Sequence, residues 1–225
     1  MKDSPPIQLS IEANGTVLSA AAHLPERLPA PVVICSHGLL SAKESPKFIA
    51  VCEALAGVGF CAVRFDFSGC GQSPGRSGLG LIDARRRDLA AVIAFSQQWS
   101  NGRVGLFGSS LGGFLSLLAA NERPEFFRAV VSWAAPFDMG SKHPEPEVLG
   151  SPTNLEATGE AGRVLLIHGQ SDEIVPWKEA VEIYKRVKDP KKLLLLRSAD
   201  HRISDPSWRE AAIRETVDWF SAHLQ

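Results

Sequence analysis

Short apolar runs alternate along this chain with longer stretches of helical periodicity, and that alternation limits the folds open to it. The runs cover residues 32–35, 60–67, 103–107, 129–135, 164–167 and 192–196. Between and after them, apolar residues recur at helical spacing over about 46–58, 79–99, 111–121, 176–188 and 206–222. Strands that are apolar on both sides are covered on both faces, which is the property of a parallel sheet flanked by helices. Ahead of the runs, residues 7–12 and 16–23 alternate in polarity around Asn14-Gly15, a two-residue hairpin signal. Residues 25–31 then read as a linker. The expected fold is α/β: a mostly parallel central sheet of about eight strands, helices on both faces, and an N-terminal antiparallel hairpin at one edge.

The chain has 225 residues, and 44% of them are apolar, so it can bury a sizeable core without staples. One domain over 1–225 accounts for the whole pattern. Segment 136–162, rich in Pro, Gly, Ser and Glu and weak in periodicity, is expected as a short irregular insertion above the sheet. A net charge of −1 provides no basic footprint, so nucleic acid is not an expected partner. No run approaches the ~18–20 consecutive apolar residues of a membrane span. The N-terminus lacks the apolar core of a signal peptide, and Cys35, Cys52, Cys61 and Cys70 have no C-x-x-C spacing. Reduced thiols and a cytoplasmic location are expected. There is no zinc-site spacing, no complete dinucleotide fingerprint and no phosphate-binding loop, so no metal or organic cofactor is expected.

In an open parallel sheet, ligands bind beyond the carboxyl ends of the strands. Four such ends carry reactive side chains: His37, Ser110, Asp172 and His201. The strongest signal is Gly108-Ser109-Ser110-Leu111-Gly112, a G-x-S-x-G match between a strand and a helix. Such a turn exposes the central serine, here Ser110, in strained backbone. A serine hydroxyl needs an adjacent base. Of the six histidines, His201 lies in a loop between the last strand and the last helix and is the expected base. His37 and His168 each precede a glycine at a strand end, where a ring commonly braces a loop. The base in turn needs an acid. Asp172, just past the fifth run, is favoured over Asp138, which follows the fourth. Asp66 could equally anchor a turn.

These residues resemble the α/β-hydrolase superfamily over essentially all of the chain from about residue 7. The resemblance rests on the elbow Gly108–Gly112, the loop His37-Gly38-Leu39-Leu40, the segment His168-Gly169-x-x-Asp172 and the late His201. The turn from Arg64 to Ser73 is also similar to one common in that superfamily, and departs from it at Ser68 and Cys70. Among subgroups the chain is most similar to small serine-aminopeptidase-like and feruloyl-esterase-like hydrolases. Those carry a helical cap where segment 136–162 lies, and here the cap is reduced. The resemblance implies an oxyanion hole formed by the backbone N–H groups of Leu39 and Leu111. It also makes Leu40 and His37 expected substrate-binding residues. The side chains of Leu39, Leu40 and Leu111 are read either as the lining of an acyl pocket or as core.

The implied activity is hydrolysis of a carboxylic ester or thioester, a small-molecule substrate, through an acyl-enzyme. An acyltransferase or a peptidase would use the same triad. A catalytically silent binding protein of this fold is the alternative of a different class.

Overall fold

The computed structural model describes residues 5–75, 81–140, 149–152, 154–156 and 159–224. The opening hairpin pairs β1 (Ile7–Ala13) with β2 (Thr16–His23). Asn14 and Gly15 between them have φ of 49° and 79°. Two successive left-handed residues make the primed turn whose twist matches its flanking strands, and Asn-Gly adopts it with little strain.

The remaining strands are β3 (Ala30–Ser36), β4 (Cys61–Phe65), β5 (Ser100–Ser109), β6 (Phe127–Trp133), β7 (Gly162–Gly169) and β8 (Lys188–Leu196). The helices between and after them are α1 (Pro46–Gly57), α2 (Leu81–Ser96), α3 (Leu111–Glu122), α4 (Lys178–Arg186) and α5 (Pro206–Leu224). All the strands share one sheet in the order β1-β2-β4-β3-β5-β6-β7-β8. β2 is antiparallel to both of its neighbours, and every other pairing is parallel.

Successive residues of a strand point to opposite faces, and here both faces are dry. Val33, Cys35, Phe107, Val131 and Ile167 pack with Phe48 and Cys52 of α1 and with Ala212 and Phe220 of α5. Their neighbours Ile34, Leu106, Val130 and Leu166 pack on the other face with Leu89 of α2, Phe114 of α3 and Ile183 of α4. Each buried Val, Ile, Leu or Phe among them contributes about 1.5–3 kcal/mol relative to leaving it in water. Cys35 and Cys61, on adjacent strands, fall on opposite faces. The sulfur nearest Cys35 is that of Cys52, 3.5 Å away, and all four cysteines are free thiols.

Two expectations shift. The helix expected over 176–188 is α4, which ends at Arg186, and β8 begins at Lys188 rather than 192. Pro190 disfavours helical backbone at Asp189, and as an edge strand β8 can accommodate a residue with no N–H. The helix expected over 79–99 is α2 plus a 3₁₀ turn, Gln97–Trp99, while residues 79 and 80 lie outside the described residues. Of the expected insertion, 141–148, 153, 157 and 158 also lie outside them. Its described parts include a bridge between Asp138 and Asn154 and the buried Leu149 and Leu155. Among the described residues no helix is long and apolar enough to cross a membrane.

The strand order reverses at β3 and β5. Loops leaving the carboxyl ends of that pair diverge to either side and leave a crevice above the sheet.

Candidate active site

β5 ends at Ser109 and α3 begins at Leu111, so one residue makes the whole turn. Ser110 has φ 55° and ψ −123°, a conformation that costs about 1–3 kcal/mol in a non-glycine residue. It is held there by its N–H, which donates to the Trp133 carbonyl at 2.8 Å. So tight a turn presses α3 against β3: a Cβ on Gly112 would sit 2.0 Å from the Ser36 carbonyl oxygen. The glycine of the motif is therefore a steric requirement. Ser110 opens onto a cleft of about 670 Å³, which Leu39, Leu40, Leu111, Asp138 and His201 also line.

Asp172 lies in the loop after β7. Its Oδ1 accepts the N–H groups of Ile174 at 2.9 Å and Val175 at 2.7 Å. Its Oδ2 lies 2.8 Å from Nδ1 of His201 and 3.1 Å from Nε2 of His168. Burial alone would raise its pKa. The hydrogen bonds from His168, His201, Val175 and Ile174 outweigh burial and hold the carboxyl well below the usual carboxylate range. An ionised oxygen accepts only, so Nδ1 of His201 carries the hydrogen between them. The two loops are locked together by backbone. Gln170 N–H donates to Leu196 and Ser171 N–H to Ala199. A Cβ on Gly169 would lie 2.1 Å from the Ala199 carbonyl oxygen.

Asp138 also lines the cleft and its Oδ1 accepts the Gly140 N–H at 2.8 Å; among the described residues the carboxylate at the His201 ring is that of Asp172. Of the two candidate acids, the geometry brings Asp172 to the imidazole.

The loop after β3 carries Leu39 and Leu40 into the cleft, and Leu40 is 93% exposed. Leu111 is buried in the core cluster, so its side chain answers to the core alternative. As the first residue of α3, its N–H has no intrahelical acceptor. The Leu39 N–H likewise meets no acceptor among the described residues.

His37 departs from expectation. Its ring is 1% exposed and does not line the cleft, so it is not placed to touch a substrate. Nε2 accepts the Phe67 N–H at 3.2 Å, and Nδ1 donates to the Gly38 carbonyl at 2.7 Å. The ring satisfies backbone groups that would otherwise be buried unpaired, which is why it is drawn inside. Burial pushes its pKa down to about 4. Asp66 anchors the same loop, with Oδ1 accepting the Lys43 N–H at 2.7 Å. The fully buried Lys43 ammonium meets Gln72 at 2.7 Å and Asp66 Oδ2 at 3.4 Å.

Sequence reasoning took His168 for a loop brace and missed that it braces Asp172. Its Nε2 faces two acceptors, Asp172 Oδ2 and the Val175 carbonyl at 2.9 Å, so it carries the hydrogen. Its spacing of four residues before Asp172 was the available signal. Lys47, Arg202 and Arg209, which also line the cleft, carried no signal at all.

A strained serine between a parallel strand and a helix, with a carboxylate-paired histidine on the same cleft, defines an α/β-hydrolase. The sequence model of the family described as serine aminopeptidase, S33, matches residues 27–155, more than half the chain, and the chain belongs to that family. It is an α/β-hydrolase enzyme. The prolyl oligopeptidase family model matches residues 142–225. Over 211 residues the chain is 29% identical to palmitoyl-protein thioesterase ABHD10, mitochondrial, of Homo sapiens, covering 78% of this chain and 68% of that protein. The Rattus norvegicus protein of the same name is 30% identical, with 78% and 70% covered. Among solved structures, Est1E from Butyrivibrio proteoclasticus superposes with a TM-score of 0.79 at 19% identity, covering 97% of this chain and 100% of that one. Mouse alpha/beta hydrolase domain-containing protein 10 superposes with a TM-score of 0.75 at 24% identity, covering 96% and 99%.

Proposed function

We propose that this enzyme hydrolyses a carboxylic ester or thioester through an acyl-enzyme. Ser110 Oγ attacks the carbonyl carbon, and Nε2 of His201 takes the hydroxyl proton. The carbonyl oxygen becomes an oxyanion held by the N–H groups of Leu39 and Leu111; loss of one such donor costs about 3–4 kcal/mol in an unrelated serine hydrolase. The tetrahedral intermediate collapses, and the carbon–oxygen or carbon–sulfur bond breaks as His201 protonates the departing alcohol or thiol. Water, deprotonated by the same nitrogen, then cleaves the acyl-serine and returns the proton to Ser110. Asp172 stays ionised throughout and stabilises the imidazolium.

The observation that carries this reading is the 2.8 Å pair between His201 Nδ1 and Asp172 Oδ2 on the cleft that Ser110 lines. The name of the ABHD10 relatives, palmitoyl-protein thioesterase, supports the thioester class. A peptidase reading draws on the family's name. An aminopeptidase must accept a substrate ammonium, however, and three cations line this cleft. The organisation goes with the same proposal: one domain over 1–225, with 136–162 as an insertion whose residues Pro136, Asp138 and Met139 reach the cleft wall. The four free thiols fit the reducing setting of the cytoplasm.

The test is hydrolysis of p-nitrophenyl butyrate together with labelling by a fluorophosphonate. Ser110→Ala is expected to abolish labelling and lower kcat by roughly 10⁴-fold or more while the protein stays folded. Near-normal turnover by that variant would overturn the proposal.

A further inference from the structure

Three cations border the reacting atoms. Lys47, Arg202 and Arg209 line the same cleft as Ser110 and His201. The Lys47 ammonium donates to Ser109 Oγ at 2.7 Å, one residue from the proposed nucleophile. Arg209 donates Nε to the Ile203 carbonyl at 3.1 Å and Nη2 to the Ser204 carbonyl at 3.0 Å. That fixes its guanidinium and leaves Nη1 without a partner among the described residues. Arg202 is exposed; its backbone N–H donates to the Asp200 carboxylate, and its guanidinium makes no hydrogen bond or ion pair among them.

None of the three is ion-paired among the described residues. The nearby carboxylates hold hydrogen bonds of their own, and Glu173 Oε2 accepts the His201 N–H at 3.4 Å. Asp200 accepts the Ser204 N–H at 2.7 Å, and Asp172 accepts from two histidines and two backbone N–H groups. Asp138, which also lines the cleft, belongs to the segment after β6. Cations gathered this way repel one another: burial, and then the fields of Arg209 and Arg202, pull the Lys47 pKa down to about 8, against a smaller upward pull from Asp200 and Asp172. A bound anion would turn that repulsion into attraction.

Their position says which part of a substrate they would meet. In the proposed mechanism His201 protonates the leaving-group atom, so the leaving group must lie on the His201 side. Arg202 is the next residue in the chain, and Arg209 is tied to carbonyls of the same loop. Leu39, Leu40 and Ile174 supply exposed apolar surface for the rest of the substrate.

Building on the serine-hydrolase reading, we infer that this enzyme prefers esters or thioesters whose alcohol or thiol carries an anionic group, a carboxylate or a phosphate, which Arg202, Arg209 and Lys47 bind.

The experiment compares butyrate esters that differ only in the leaving group: methyl 4-hydroxybenzoate, 4-hydroxybenzoate, 4-hydroxyphenyl phosphate and 3-hydroxyphenyltrimethylammonium. Each kcat/KM is normalised to the spontaneous hydrolysis rate of that ester. At low salt at least one anionic ester is expected to exceed the neutral one by about tenfold, and the cationic ester to fall below it. The two anionic arms separate a carboxylate from a phosphate preference, and either supports the inference. The anionic advantage is expected to shrink in about 0.5 M NaCl and in Arg202→Gln, an exposed position where the fold is not at stake. Lys47→Gln, checked for folding by thermal melting, is expected to shrink it as well. Equal normalised rates for all four esters, indifferent to salt and to both variants, would overturn the inference and leave the hydrolase reading standing. If wild type turns over none of them, the hydrolase reading falls and the inference with it.

Discussion

His168, near the end of β7, and Asp172, four residues on in the loop that follows, meet side chain to side chain at 3.1 Å, on the same carboxylate oxygen that His201 approaches at 2.8 Å. One imidazole thus holds the acid while the acid holds the other imidazole. His168 is a positioning residue, fully buried and out of reach of substrate.

Replacing His168 by leucine removes one of the donors that keep Asp172 ionised and aimed. A fall in kcat of roughly 10- to 100-fold is expected, as for lost partners behind metal-binding histidines, with KM little changed. A purely structural role would lower stability and leave kcat per folded molecule intact. Steady-state kinetics paired with thermal melting distinguishes the two.

Asp172→Asn should lower kcat by about 10⁴-fold, because an amide can donate to Nδ1 and select the wrong tautomer of His201. Asp138→Asn, at the rim of the same cleft, should change it only a few-fold. The proposed acid is wrong if the order of these effects is reversed in two folded proteins.

Glycine to alanine inside a helix ordinarily stabilises by about 0.5–1 kcal/mol. Gly112→Ala should do the opposite. Its Cβ would stand 2.0 Å from the Ser36 carbonyl oxygen and 2.7 Å from that of His37, and backbone on that side cannot retreat without moving β3. A loss of about 3 kcal/mol or more in urea unfolding is expected. An unchanged midpoint would contradict the tight elbow.

Acid should unfold the protein through buried histidines. Burial lowers the folded-state pKa of both His23 and His37 from 6.5 to about 4. As pH falls below 6.5, the unfolded chain takes up protons that the folded chain refuses. Stability is therefore complete above about 6.5 and lost on the way to about 4, by on the order of 2–3 kcal/mol for His37 alone. Asp172, with its lowered pKa, adds a loss only below the ordinary carboxylate range. Melting temperatures from pH 7 to 4.5 should fall steadily, and less steeply in His23→Gln. A flat profile would refute the assignment.

Much of this molecule could be read from local pattern. Apolar runs free of polar alternation required a sheet covered on both faces, and β3 to β8 with their helices meet that requirement. Asn14-Gly15 specified its turn through backbone sterics alone. Ser110 was legible because a one-residue strand-to-helix turn needs small neighbours at fixed offsets, a constraint written in five consecutive residues. Local pattern favoured Asp172 over Asp138 but could not fix the choice, since both follow apolar runs and the packing of the β7 loop against the β8 loop brings Asp172 to His201. Nor could it foresee that the His37 ring turns inward to the Phe67 N–H, or that Lys47, from the start of α1, reaches Ser109. Periodicity and turn chemistry act over a few residues and are carried by the sequence itself. Which side chains converge across gaps of 29 to 62 residues, as His201 does with Asp172 and Lys47 with Ser109, is decided by strand order and loop packing. Those contacts are made by the assembled sheet and are properties of no single stretch of chain.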